Sequence, residues 1–316
     1  MSDVSSDAEH DLENPDEPMA EFEPSSRERV SGPGFGGLLR SLFSRMPWGE
    51  PRSREERLNI PAPPGNAISV RNANGKTRVI GEDRDDIEIG VLKSVRADCP
   101  NVAAELLDSI RLQSASAADI LEIEVQIPRK CARHAIAHIE LRVPRETQVS
   151  LSSTNGKICL EGLDRAVRAR SSNGSIRITE IMGDIDVTTA NAKVACRSTH
   201  GHLRARSSNG KIEVASHRGS VDASTSNGVI RAVLEDLGHQ GVSLKTSNGR
   251  IVLELPEKSD ADVDIQVENG HIRNDLDLQL DGDVDRSETN GRVRGRLGKG
   301  GVPIRLRTSN GTVSLR

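Results

Sequence analysis

The stretch Ser207-Ser208-Asn209-Gly210-Lys211-Ile212-Glu213-Val214 constrains the fold more than any other feature, because close copies of it recur down the C-terminal half of the chain. Asn-Gly, or Asn-Ala in one case, stands at Asn155, Asn173, Asn191, Asn209, Asn227, Asn248, Asn269, Asn290 and Asn310. The first four steps between these asparagines are 18 residues, and the later ones are 21, 21, 21 and 20. Self-similarity at a short period is the signature of a stacked-repeat architecture, in which one unit cannot bury its apolar face alone.

Within a repeat the alternation is strict. Val221, Ala223, Thr225 and Asn227 lead into the corner, and Ile230 and Ala232 follow it. Leu203, Ala205, Ser207, Asn209, Ile212 and Val214 repeat the parity, as do Ile304, Leu306, Thr308, Asn310, Val313 and Leu315. Each turn therefore reads as strand, corner, strand with one apolar face. Asn-Gly also suits a two-residue hairpin, so an antiparallel meander is the rival. Burial favours a parallel β-solenoid, since a meander would leave one continuous aliphatic face with no helix to cover it. In a solenoid of 18–21-residue turns, successive strands lie about 4.8 Å apart. Its corner asparagines form a ladder, each amide able to bond the backbone or the amide of the next turn. The expected fold is thus all-β, with one small helix.

All four aromatic residues, Phe22, Phe35, Phe43 and Trp48, precede residue 50. The remaining core must be Val, Ile, Leu, Ala and Thr, which suits a thin interior between strands. The stacking platforms of sugar clefts and single-stranded nucleic-acid channels are missing from it. Residues 1–31 carry ten acidic and two basic residues, an acidic tail on a mildly basic body. Cys99, Cys131, Cys159 and Cys196 show neither zinc spacing nor a disulfide framework. Cys159 and Cys196 fall two turns apart on opposite strand faces.

Residues 1–58 read as a disordered acidic tail. Within it, segment 37–48 places Leu38, Leu39, Leu42, Phe43 and Met46 on one helical stripe, with Trp48 just beyond Pro47. Two readings stay open for this segment: a short helix docked on the body, or one that binds a membrane surface or a partner protein. Neither a secretion signal nor a membrane span is seen, so a cytoplasmic location, with membrane association through 37–48, is expected and a cell-surface location is the alternative. Residues 59–148 read as a degenerate first repeat around Asn74-Gly75 and a capping insertion. That insertion holds strands at Ile87–Val95, Ile120–Ile127 and Ala135–Val143 and a helix near Pro100–Leu107. Residues 149–316 are the repeats, and 59–316 form one structural domain.

Ile139-Glu140-Leu141-Arg142-Val143-Pro144-Arg145-Glu146-Thr147, running into Leu151-Ser152-Ser153-Thr154-Asn155-Gly156-Lys157-Ile158, carries a family resemblance. With the Ala104-Glu105-Leu106-Leu107 helix and the recurring S-x-N-G-x-I, residues 59–316 resemble the bacterial β-strand-repeat family of candidate adhesins, a domain of unknown function. The resemblance implies a repeat scaffold and carries over no catalytic residues.

The sequence holds no P-loop, nucleophile elbow, zinc-protease or EF-hand motif. His200, His202 and His217 are the only histidines whose period could bring them together, and they read as surface side chains without an acidic partner. Asp184 with Asp186, and Asp283 with Asp285, read as solvated turn acids. No enzyme activity, cofactor or metal is expected. The informative surface is the strand after each corner, where Lys157, Arg177, Lys193, Lys211, Arg231, Arg250, His271, Arg273, Arg292 and Arg294 face a single acid, Glu213. Parallel stacking would put Lys193 beside Lys211 and Arg273 beside Arg294. These bases either cover strand faces and blunt edges, or form a footprint for an anionic polymer or membrane.

Taken together, these readings describe a non-enzymatic scaffold or binding module. An exported cell-surface adhesin and a sequence-indifferent nucleic-acid binder are the alternatives. Partners would be an unknown protein, an anionic polymer or a membrane surface. The row from Ile304 to Leu315 reads as an unpaired terminal edge blunted by Pro303, Arg305, Arg307 and Arg316, so a monomer or small oligomer is expected and end-to-end self-association is the alternative.

Overall fold

The computed structural model describes residues 52–97, 100–117, 119–128, 134–280 and 291–316. Its first part holds β1 (Arg52–Pro61), β2 (Ala67–Asn74), β3 (Thr77–Glu82), β4 (Asp86–Val95), α1 (Pro100–Ser109), β5 (Arg111–Ala117), β6 (Ile120–Gln126) and β7 (Ala135–Pro144). The repeats supply β8 (Gln148–Asn155), β9 (Ile158–Leu163), β10 (Val167–Ser171), β11 (Ile176–Met182), β12 (Ile185–Thr189), β13 (Val194–Ser207), β14 (Ile212–Asn227), β15 (Ile230–Asn248) and β16 (Ile251–Glu254). Last come β17 (Ala261–Asn274), β18 (Gln279–Leu280), β19 (Gly291–Leu297) and β20 (Val302–Leu315).

The described chain is mostly strand, in one open sheet of mixed pairing. Asn-Gly does not close a hairpin. The strand before one corner pairs in parallel with the strand before the next, so Val149, Val167, Ile185, Leu203 and Val221 are successive Cα partners. After the corner, Ile158, Ile176, Val194, Ile212 and Ile230 follow the same rule. These two rows and their neighbours at i+2 are buried and form one aliphatic core. Fully burying each such side chain is worth about 1.5–3 kcal/mol, which is what holds strands that share few local contacts.

The parity breaks once per turn. Glu180, Ser198 and Ser216 adopt φ of 54°, 52° and 52°, stacked on Gly162 at 70°. This left-handed residue sends Ile181, Thr199 and His217 inward three positions after Ile178, Cys196 and Val214 rather than two. In β13 and β14 it bends the chain into the next turn without ending the strand; β15 also runs through a whole turn, with a register shift there instead of a left-handed residue. The corner glycines serve a different need. A Cβ on Gly210 would collide with the carbonyl of Ala192 one turn below, so glycine here buys close stacking.

The all-parallel stack that the repeats suggested holds only for the middle. Antiparallel pairs join β1 to β4, β4 to β7 and β5 to β6 on one side, and β17 to β19 and β18 to β19 on the other. Residues 52–58, expected to belong to the disordered tail, lie in β1, whose Arg52, Arg54, Glu55, Glu56 and Arg57 give no apolar alternation to read. The insertion does more than cap. Its β6 and β7 pair in parallel with β2 and β3, adding a layer beneath the first repeat. Helix α1 buries Ala103 and Leu107.

At the far end, chain order and spatial order part company. β20 pairs in parallel with β15 and β16 on one side and with β17 on the other. Val242, Ile304 and Val263 are therefore successive partners, although they come from repeats in the chain order 242, 263, 304. The row from Ile304 to Leu315 is an interior layer, not the free edge expected from its place in the sequence, because the last repeat inserts between two earlier ones.

Candidate functional site

The corners line up into a ladder of exposed amides. Asn173 Nδ2 donates to Asn155 Oδ1 at 3.0 Å, and Asn191, Asn209, Asn227 and Asn248 each donate to the asparagine of the turn before at 2.8–2.9 Å. Asn310 then donates to Asn248 at 2.8 Å, and Asn269 to Asn310 at 3.1 Å. All seven bonds point the same way, and they link amide to amide on the surface rather than reaching into buried backbone. Asn290 lies outside the described residues.

Beneath the ladder runs a buried hydroxyl row that the sequence reading passed over. Thr189, Thr225, Thr246 and Thr308 Oγ1 donate to Gly174, Gly210, Gly228 and Gly249 carbonyls at 3.2–3.4 Å. Ser207 reaches Ala192 O at 3.5 Å. The signal was the Ser or Thr two residues before each corner asparagine except Asn269 and Asn290, which follow Val267 and Glu288. It satisfies the carbonyl that the tight corner turns inward.

The basic residues after the corners do not make one strip. Lys157, Lys193, Lys211, Arg250 and His271 occupy the row next to the corner, with Ser175, Val229 and Thr312 between them. Arg177, Arg231 and Arg273 stand two positions further on, in a row that runs Cys159, Arg177, Ala195, Glu213, Arg231, Val252, Ser314, Arg273. Lys193 and Lys211 are neighbours, and Glu213 ties them together: it pairs with Lys193 and, at 2.6 Å, with Lys211. Burial opposes ionisation of Glu213, but the bonds from Lys193 and Lys211 win and hold its carboxyl below the usual range. Arg231 pairs with Glu254 at 2.9 Å. Arg292 and Arg294 lie on β19, where both meet Asp264, Arg292 through a bidentate pair at 2.5 and 2.8 Å. Arg294 is thus opposite Asp264 and nowhere near Arg273, because β19 turns back antiparallel on the strand layer before the corner.

That other layer carries the longer charged rows, which were legible at fixed offsets before each asparagine and were not read. Five residues before the corner, Arg168, Asp186, Arg204 and Asp222 alternate in register, with ion pairs of 3.4 and 3.5 Å. Three residues before it, the row runs Arg71, Ser152, Arg170, Thr188, Arg206, Ser224, Lys245, Arg307, Gln266. From Arg71 to Gln266 it contains no acid, but Glu124 is the next partner in register beyond Arg71.

The histidines part ways. His217 is fully buried, not a surface side chain. Its Nε2 lies 3.3 Å from the Ser220 carbonyl and so carries the proton, which leaves Nδ1 to accept from Thr199 Oγ1 at 2.9 Å. Burial, with bonds to Ser220 and Thr199 opposing it, lowers its pKa. His202 sits one turn above Asp184, which accepts the His202 backbone N–H at 3.1 Å. Asp184 and Asp186 are therefore engaged within the stack, while Asp283 and Asp285 lie outside the described residues. Cys196 is buried, and burial pushes its thiol up to about 12; Cys159 faces outward two turns away. Among the described residues no group of three or more His, Cys, Asp or Glu could hold a metal, and no helix is long and apolar enough to cross a membrane. The segment with Leu38, Leu39, Leu42, Phe43, Met46 and Trp48 lies outside the described residues.

Solved structures with a similar arrangement include a candidate adhesin from Parabacteroides merdae, 11% identical, with 85% of this chain and 98% of that one covered and a TM-score of 0.45. A candidate adhesin from Bacteroides fragilis is 12% identical, with 84% and 97% covered and a TM-score of 0.44. A candidate lipid-binding protein from Parabacteroides distasonis is 12% identical, with 65% and 90% covered and a TM-score of 0.35. No curated protein matches the sequence. The family model of Toastrack DUF4097 matches residues 66–316, the whole run from β2 to β20, and the chain belongs to that family.

Proposed function

We propose that this protein is a non-enzymatic, adhesin-like binding module built as a β-solenoid scaffold of 18–21-residue turns. Residues 59–148 are its first turns and cap, 149–316 its repeats, and the two form one domain. Residues 1–58 carry the attachment segment 37–48, which docks on a membrane surface or a partner protein. What carries this reading is register. Because each turn repeats the last, one outward position of the repeat becomes a straight row of side chains crossing many strands, as in Arg168 to Asp222. A long flat surface of such rows suits an extended ligand or another surface better than a small molecule. The lysines and arginines after the corners have a covering and pairing role here, as Glu213 and Glu254 do.

The test is retention of the full chain on an array of polysaccharides, matrix proteins and lipid surfaces, with the eluted material analysed for chemical change. Retention with the array material unaltered supports the reading. Cleaved or modified products, or retention on none of the surfaces, sink it. Protease shaving of intact cells would decide where the module works, with loss of the protein expected for a surface role.

A further inference from the structure

The row three residues before the corners gathers cations in register. Arg71, Arg170, Arg206, Lys245 and Arg307 are exposed, and among the described residues none of them is in an ion pair. Arg71 has Glu124 as an in-register neighbour, but from Arg170 to Lys245 the cations fall on every second strand of the row, and the strands between carry Thr188 and Ser224. Two strand spacings are about 9.5 Å, so the row offers one cation without an acidic neighbour in register per 9.5 Å or so along a straight line of some 20 Å. Isolated like charges at that separation are a little more than a Debye length apart at physiological salt, about 8 Å, so their mutual repulsion is small. The row is therefore stable while empty, yet able to add its charges to one long anion.

Its surroundings select the kind of anion. On the corner side lie the exposed Ser172, Ser208 and Ser226, and beyond them the amide ladder, both able to exchange hydrogen bonds with hydroxyl groups. On the other side the alternating row places Asp186 and Asp222 close by. These carboxylates would repel a dense polyanion but accept hydrogen bonds from sugar hydroxyls. Duplex nucleic acid carries a charge every 1.7 Å or so, far denser than the cations here. Single strands need aromatic platforms, and residues 52–316 contain no Phe, Tyr or Trp. A 1,4-linked polyuronate in extended two-fold form turns alternate rings over, so its carboxylates reach one side once per disaccharide, a length comparable to two strand spacings.

We infer that this face, on the strand layer before the corners, binds a linear acidic polysaccharide of the polyuronate type, lying across the strands with a carboxylate on every second one. The inference rests on the binding-module reading and names its ligand class and face. The experiment uses the full chain on immobilised polygalacturonate, with dextran as the neutral control and duplex DNA as the nucleic-acid control. Wild type should be retained on polygalacturonate, weaken as salt rises, and pass through dextran. Arg170→Gln with Arg206→Gln and Lys245→Gln should lose about tenfold or more in affinity, some 1.4 kcal/mol. The charge-preserving pair Arg170→Lys and Arg206→Lys should keep most of it. Lys193→Gln with Lys211→Gln, on the other layer, should bind as wild type does, and urea melts should show all variants folded. Equal retention of the triple variant, or a larger loss from the Lys193 and Lys211 pair, overturns the inference, as does tight binding of DNA without polygalacturonate. Retention on other array surfaces but not on polygalacturonate overturns it while leaving the binding-module reading intact; retention on none removes both.

Discussion

His217 shows how one inward side chain can set the pH response of the stack. Its folded pKa lies below the ordinary value, so near and below about pH 6.5 the unfolded chain binds more protons than the folded one. Stability is then fully present above that pH and declines as pH falls through the unfolded value. His138, lowered by burial and by Lys76, works in the same direction. Urea midpoints should fall between pH 7 and 5, and His217→Gln should make that fall shallower without abolishing it. An unchanged slope would count against the buried neutral ring. Glu213 and Asp264, both held low by their basic partners despite some burial, add a further loss only from about pH 4.5 downward. Cys196 gives a second residue-level expectation. With its thiol buried and raised to about 12, it should resist iodoacetamide in the native protein and label only in urea, as read by peptide mass mapping. The reactive partner in that comparison is the outward Cys159. Opposite facing of the two cysteines was legible from parity alone. His217 was not, because the left-handed Ser216 reverses parity just before it, and serine does not advertise that conformation as Gly162 does.

Elements whose apolar residues alternate were the readable ones: β4, β6, β7 and α1 fall within a residue or two of where the pattern puts them. Strand β1 was hidden, since both its faces are largely exposed and its pairing with β4 is specified by backbone bonds and charge rather than by burial. It matters all the same, because it covers the edge of β4, where Ile87, Ile89 and Val91 are fully buried. A charged edge strand ending in Pro61 resists further pairing. Deleting residues 52–61 should therefore raise light scattering at high concentration, and a monodisperse truncated protein would show that β4 needs no cover. The ladder offers a test of spatial order. Asn310 bonds both Asn248 and Asn269, whereas Asn269 has one ladder partner among the described residues. Asn310→Leu should cost about as much as Asn209→Leu, on the order of 1 kcal/mol for two exposed amide bonds, and Asn269→Leu about half as much. If Asn310→Leu proves the mildest in urea melts, the insertion of β20 is wrong.

At the scale of the molecule, the period of the repeats made the stacking, its register and the inward rows legible, and a single comparison of burial was enough to set aside the hairpin alternative. Neither the antiparallel closures nor the order of the last layers could be read that way, because every repeat is an acceptable neighbour for every other and identical corners do not encode who sits beside whom. The charged face before the corners is equally periodic, but its basic and acidic or hydroxyl positions alternate from turn to turn, so no single offset reads as uniformly basic. Stability should be shared along the stack through nearest-neighbour contacts. Ile212→Ala, at the middle, should cost about 2–5 kcal/mol and lower the whole urea transition rather than split it. A separate early transition would mark the two ends as independent.

The position of β20 has a consequence for synthesis. From β8 onward, a chain made from its N-terminus could lay down each turn on the one before as far as β16, folding as it leaves the ribosome. Then the rule breaks: β17 emerges first but belongs one layer too far out, and its half from Asn269 to Asn274 pairs among the described residues only with β20. A nascent chain halted after residue 297 would hold that segment without its partner and leave β16 bare on one side. Closing the far end has to wait until the last strand is delivered, so the protein's assembly is sequential for most of its length and all-or-none at the finish.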